Sequence, residues 1–167
     1  MNVERYQWCG IDDLSRIETA VVRLGEDSLR AHGGSVSTDY ATAWHLKVGA
    51  GWVTEELAVS SFGDGWKRSL TLARDSSGCW SIDADHLGEV ELPAPGLHDP
   101  SILHGAIDCD LGLCPLTNIM PVRRLGLLSH QVEPTPPHHA EADGTARQQY
   151  RFQRFPRAAS CSRYRGS

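Results

Sequence analysis

The sequence predicts an all-β fold laid out as an antiparallel meander, and three observations carry that prediction. Short extended runs recur through the first 128 residues, turn signals rich in glycine and aspartate separate them at spacings of roughly 8–12 residues, and good helical periods are nearly absent. A chain of 167 residues, 40% hydrophobic and 22% charged, is long enough to close one core. One domain is therefore expected over residues 1–128, followed by an irregular, disordered tail over 129–167.

The expected strands are residues 17–24, 29–32, 41–48, 52–62, 67–74, 80–83, 106–111 and 120–125. Gly25-Glu26-Asp27, Gly33-Gly34, Gly49-Ala50-Gly51, Gly63-Asp64-Gly65 and Asp75-Ser76-Ser77-Gly78 are read as the turns between them, because glycine and aspartate tolerate the backbone angles of tight turns. In the third run Trp44, Leu46 and Val48 share one face while His45 and Lys47 share the other. The fourth places Val53, Leu57 and Val59 together, so one sheet face is apolar. The one helical signal is short: Asp99 as cap, then Pro100 at a first helical position.

From Ser129 the texture changes. Pro134, Pro136, Pro137, His138 and His139 precede a stretch of Arg, Gln and Ser with isolated aromatics, too poor in apolar surface to offset the entropy of ordering. The net charge of −5 divides into −8 over residues 1–128 and +3 over the tail, which argues against nucleic acid as a partner. No apolar run has the length of a signal peptide or of a membrane span, so a soluble, cytoplasmic protein is expected. Five cysteines without paired spacing are expected as free thiols. Arginine outnumbers lysine 14 to 2, the usage of a GC-rich bacterial genome.

The candidate site lies between Ile107 and Leu127. If 107–111 is extended, Asp108 and Asp110 project from one face and Cys109 and Leu111 from the other. Pro115 and Pro121 bracket a loop that holds Thr117 and Asn118, which suit hydroxyl recognition or plain loop closure. A strand at 120–125 would turn Arg123 and Arg124 to opposite faces, leaving one structural and one available to grip an anion. Asp108, Asp110, Thr117, Asn118, Arg123 and Arg124 are the expected ligand-binding residues. No catalytic residue and no cofactor is assigned, and Cys109 and Cys114 with His104 are too sparse for a metal site. Trp44, Trp52, Trp66 and Trp80 are read as core in preference to a sugar-stacking wall.

Asp108, Asp110, Leu111, Gly112, Pro115, Thr117, Asn118, Pro121, Arg123, Arg124, Leu125, Gly126 and Leu127 match the pattern D-x-D-L-G-x-x-P-x-T-N-x-x-P-x-R-R-L-G-L. In this the chain resembles, over about residues 6–128, a bacterial domain family of unknown function labelled putative glycolipid-binding. The resemblance implies an antiparallel half-barrel or open β-barrel similar to lipoprotein-carrier folds. Relatives continue after the arginine pair with further strands, so the chain reads as truncated or frame-shifted at its C-terminus. The expected function is non-catalytic binding of an amphipathic small molecule, with glycolipid the ligand the resemblance names. The rival class is a hydrolase or isomerase acting on a sugar-containing substrate through Asp108 and Asp110. An open sheet would also leave an edge through which copies of the chain can pair into a homo-oligomer.

Overall fold

The computed structural model describes residues 2–11, 13–89, 91–92, 95–96, 99–127, 149–151 and 159–162. Seven strands, β1 (Asn2–Cys9), β2 (Ile17–Leu24), β3 (Leu29–Val36), β4 (Tyr40–Gly49), β5 (Val53–Gly63), β6 (Trp66–Arg74) and β7 (Trp80–Leu87), pair antiparallel in chain order. They form one open sheet whose edges are β1 and β7. The fold is therefore all-β, as the turn-punctuated runs imply. Among the described residues, no helix is long and apolar enough to cross a membrane.

Four of the five expected turns join strands. Asp75 shows how: its carboxylate accepts hydrogen bonds from the backbone N–H groups of Ser77 and Cys79, both at 2.9 Å, which closes the β6–β7 turn. The fifth does not. Gly33 and Gly34 lie inside β3, opposite Trp44 and Ala43. A Cβ on Gly33 would stand 2.6 Å from Trp44 Cζ2, so the glycine makes room for an indole instead of bending the chain. β1, which was not among the expected strands, is an edge strand without a buried residue.

The inner face of the sheet carries the core, including Val22, Leu46, Leu57 and Leu72, all essentially inaccessible. Each such side chain stabilises the fold by about 2 kcal/mol through apolar burial. Between β4 and β5 the register slips, pairing Lys47 with Glu56 but Val48 with Thr54. This bulge at Glu55 turns Thr54 inward beside Leu57, where simple alternation would have turned it outward.

The segment 99–127 covers the inner face. Asp99 accepts from the Ser101 N–H at 2.9 Å and caps a 3-10 turn over Pro100–Leu103, as its sequence predicts. Then come β8 (Asp108–Leu111), a second 3-10 turn over Pro115–Asn118, and α1 (Ile119–Arg124). Leu103, Ala106, Cys109, Leu111, Cys114, Leu116 and Met120 pack from this segment into the same core as the sheet. The strand expected at 120–125 is thus a helix. Pro121 sits in its first turn, where the missing N–H would have had no intrahelical partner, so the proline is compatible with a helical start.

Two further short strands, β9 (Gln149–Arg151) and β10 (Ala159–Ser162), belong to the C-terminal segment. β10 pairs antiparallel with β8 on one side and β9 on the other, placing Cys161 opposite Cys109. The remainder of the expected irregular tail lies outside the described residues.

Candidate functional site

β8 runs along the covered face of the sheet and separates its two carboxylates by one strand repeat, about 6–7 Å of rise. Asp108, near the bulge, is buried and grips Arg124 through both oxygens. The same guanidinium donates to the carbonyl of Trp52 at 3.0 Å. Arg123, one residue earlier on α1, is exposed and lies over the Trp52 ring, 5.6 Å from its centroid. Both arginines thus converge on one residue, contrary to the opposite faces a strand would have given them. Trp52 needs this restraint: its φ of +61° is in the left-handed region that a bulky side chain rarely occupies. Asp108, Arg123 and Arg124 together clamp α1 to the β4–β5 connection.

Asp110 points elsewhere. It is half-buried and receives the hydroxyl of Thr117 at 2.5 Å. Thr117 is itself buried; its oxygen accepts from the Leu111 N–H at 3.2 Å and stands 2.9 Å from the Cys114 carbonyl. The segment that follows Pro115 is therefore tied back onto β8 by one threonine. Asn118 is exposed, its amide 3.4 Å from the Pro115 carbonyl.

Asp110 and Asn118 form one wall of a cavity of about 600 Å³. Leu111, Leu113, Cys114 and Pro115 complete that wall, and the opposite one comes from β1, β2 and their connection: Trp8, Cys9, Gly10, Ile11, Arg16 and Glu18. Apolar and charged groups are interleaved around the cavity. Leu113 takes φ of +65°, a second left-handed bulky residue, here on the rim of the cavity.

Behind Glu18 the inner face is polar. Strand register aligns Glu18, Ser35, Thr42, Ser61 and Arg68 across five consecutive strands, and all five are buried. The Thr42 and Ser61 hydroxyls bond each other at 2.9 Å. Desolvation lowers the pKa of Arg68, yet a guanidinium keeps its proton at any physiological pH, so the row holds an acid near one end and a permanent cation at the other. The Ser35 hydroxyl within this row and the Trp44 indole N–H beside it are buried without a hydrogen-bond partner. Such groups are uncommon in a folded interior.

Of the six expected binding residues, the structure brings Asp110 and Asn118 to the cavity, buries Thr117 directly behind them, and sets Asp108, Arg123 and Arg124 in the clamp. Sequence reasoning missed Trp8, Ile11, Arg16 and Glu18, whose approach to residues 110–118 depends on tertiary placement. Trp8 sits at an ordinary strand position, and only its pairing with Glu18 across β1 and β2 marks it. Trp44, Trp52 and Trp80 are core residues, and the Trp80 indole donates to the Ala106 carbonyl at 3.0 Å. Cys9 and Cys79 are exposed free thiols, and Cys109 and Cys114 are buried. Among the described residues, no three His, Cys, Asp or Glu side chains are grouped to hold a metal ion.

No match was found among curated proteins or among solved structures. One family model matches, that described as putative glycolipid-binding, over residues 6–166, a span that continues well past the arginine pair.

Proposed function

We propose, for a chain that belongs to the putative glycolipid-binding family, that it holds an amphipathic ligand non-covalently in the cavity between β1, β2 and the β8 segment. The observation that carries this reading is that both cavity walls combine apolar side chains with charged and polar ones. Trp8, Ile11, Leu111 and Leu113 offer apolar surface to a hydrocarbon portion, while Arg16, Glu18, Asp110 and Asn118 can meet the hydroxyls of a polar head. The volume falls within the range of small-ligand sites, roughly 300–1,000 Å³. Binding of this kind needs no proton transfer, and the commitment of both Asp108 oxygens to Arg124 weighs against an acid and base pair made with Asp110.

Native mass spectrometry of the purified protein tests the reading, with a co-purifying lipid or glycolipid as the expected adduct. In titrations with that ligand, Trp8→Ala and Asp110→Asn should each weaken binding about tenfold or more, the loss of one stacking surface or one charged hydrogen bond. Unchanged affinity in both variants would remove the cavity from consideration.

A further inference from the structure

Polarity inverts at one end of the sheet. Over most of the sheet the inner face is apolar and the outer face polar, but at the cavity end the row Glu18, Ser35, Thr42, Ser61, Arg68 turns polar groups inward. The neighbouring outward row runs Ile17, Val36, Ala41 and Phe62 in direct register across β2 to β5, with Leu87 two strands further. Ile17 is 46% exposed, Val36 62%, Phe62 52% and Leu87 73%. The β1–β2 connection at this same end adds Ile11 and Leu14, 96% and 84% exposed. Large apolar side chains this open on a single rim are not needed for the core, since none of them belongs to it.

We infer that this rim docks on a lipid surface of neutral headgroups, so that the cavity exchanges its ligand directly with a bilayer. Three observations select that occupant. Ile11 is shared between rim and cavity wall, making the apolar rim continuous with the opening. Among the described residues, the connections at this end carry Asp39 and Asp64, with Glu89 just after β7, against one exposed cation, Lys67. That excess of negative charge opposes an anionic membrane and equally a second copy of the same rim, and leaves an uncharged lipid surface as the favourable one. Third, the apolar groups stand on strand ends and connections, the parts of the sheet that project furthest and can enter a headgroup layer without unfolding. The inference rests on the amphipathic-ligand reading, since a ligand soluble in water would need no docking.

Flotation with phosphatidylcholine vesicles and with phosphatidylglycerol vesicles tests it, using the intact chain and the triple variant Leu14→Ser, Val36→Ser, Phe62→Ser. None of these three residues lines the cavity. The intact chain should float with phosphatidylcholine and more weakly with phosphatidylglycerol. The triple variant should lose about tenfold or more in partitioning, while Val3→Ser, exposed at the opposite end of β1, should match the intact chain. Leu14→Ser alone, on an exposed loop side chain, repeats the comparison with the least risk to folding. Binding of octyl glucoside below its micelle concentration, read from the change in tryptophan fluorescence that Trp8→Phe removes, should survive in every rim variant. Equal flotation of intact and triple-variant chains, or preference for phosphatidylglycerol, would overturn the docking surface. So would a dimer in light scattering that the triple variant dissolves. If docking fails but octyl glucoside still binds, the cavity reading stands alone; if both fail, both fall.

Discussion

Trp52 is held in a left-handed backbone by groups on every side: its N–H donates to Asp27 O at 3.0 Å, its carbonyl accepts from Arg124, and its ring lies under Arg123. Removing one partner of a buried charge pair strands the other. Arg124→Met should therefore cost about 3–5 kcal/mol in urea unfolding, and Asp108→Ala a similar amount. Arg123→Met removes an exposed cation–π contact and should cost no more than about 1 kcal/mol. Comparable losses at both arginines would mean that the clamp is not organised around Asp108. Leu113 offers the converse test, because glycine accepts its φ without strain: Leu113→Gly should leave stability unchanged or raise it by up to about 1 kcal/mol, while weakening ligand titrations through lost apolar contact.

β8 is secured along both edges by different means. Its Cys109 and Leu111 N–H groups donate to the hydroxyls of Thr54 and Thr117, both at 3.2 Å, so alternation turns those of Asp108 and Asp110 toward β10. A chain ended at residue 158 should accordingly lose hydrogen-exchange protection at the Asp110 amide and keep it at Cys109 and Leu111. Protection retained at all three amides would remove β10 from the account. The β6–β7 turn gives a pH-dependent case. Hydrogen bonds from the Ser77 side chain and the Cys79 backbone hold the Asp75 carboxyl below its ordinary value near 3.8. A carboxyl whose folded pKa is depressed adds stability above the unfolded value and loses it as pH falls through the folded one. Asp75→Ala should thus destabilise at neutral pH, and the gap from the unchanged chain should close on acidification below pH 3.8. At this scale most of the sheet was readable, because alternation and turn chemistry are local. The helix at 119–124 was not: a six-residue segment with a proline, three apolar residues and two arginines is ambiguous by period, and its contacts with Trp52 decide the matter. Gly33 failed for a related reason, since a glycine that accommodates Trp44 looks in sequence like one that turns the chain.

In the whole molecule, the cavity joins two parts with unequal roles in stability. The wall from residues 110–118 grows out of the core, whereas β1 contributes no buried residue to the other. A chain begun at Gly10 should therefore remain folded, by circular dichroism and cooperative urea unfolding, yet lose ligand binding. Collapse of the truncated chain would show β1 to be essential to the sheet. This asymmetry also explains why only half the candidate site was legible: Asp110 and Asn118 stand in a dense motif, but Trp8, Arg16 and Glu18 gain meaning only once β1 and β2 are folded beside them.

The chain-ordered pairing of β1 to β7 also fixes a sequence of events during synthesis. Connections of two to seven residues let each hairpin close as soon as its second strand leaves the ribosome, with little loop entropy to overcome. Val22, Leu46, Leu57 and Leu72 are then assembled into a sheet face before Leu103, Leu111 and Met120 have been made. At translation rates of roughly 5–20 residues per second, the uncovered interval lasts on the order of seconds. The nascent chain at that length exposes an apolar sheet face with the later segment absent, and the time taken to synthesise the residues between the end of β7 and β8 sets how long that face stays uncovered.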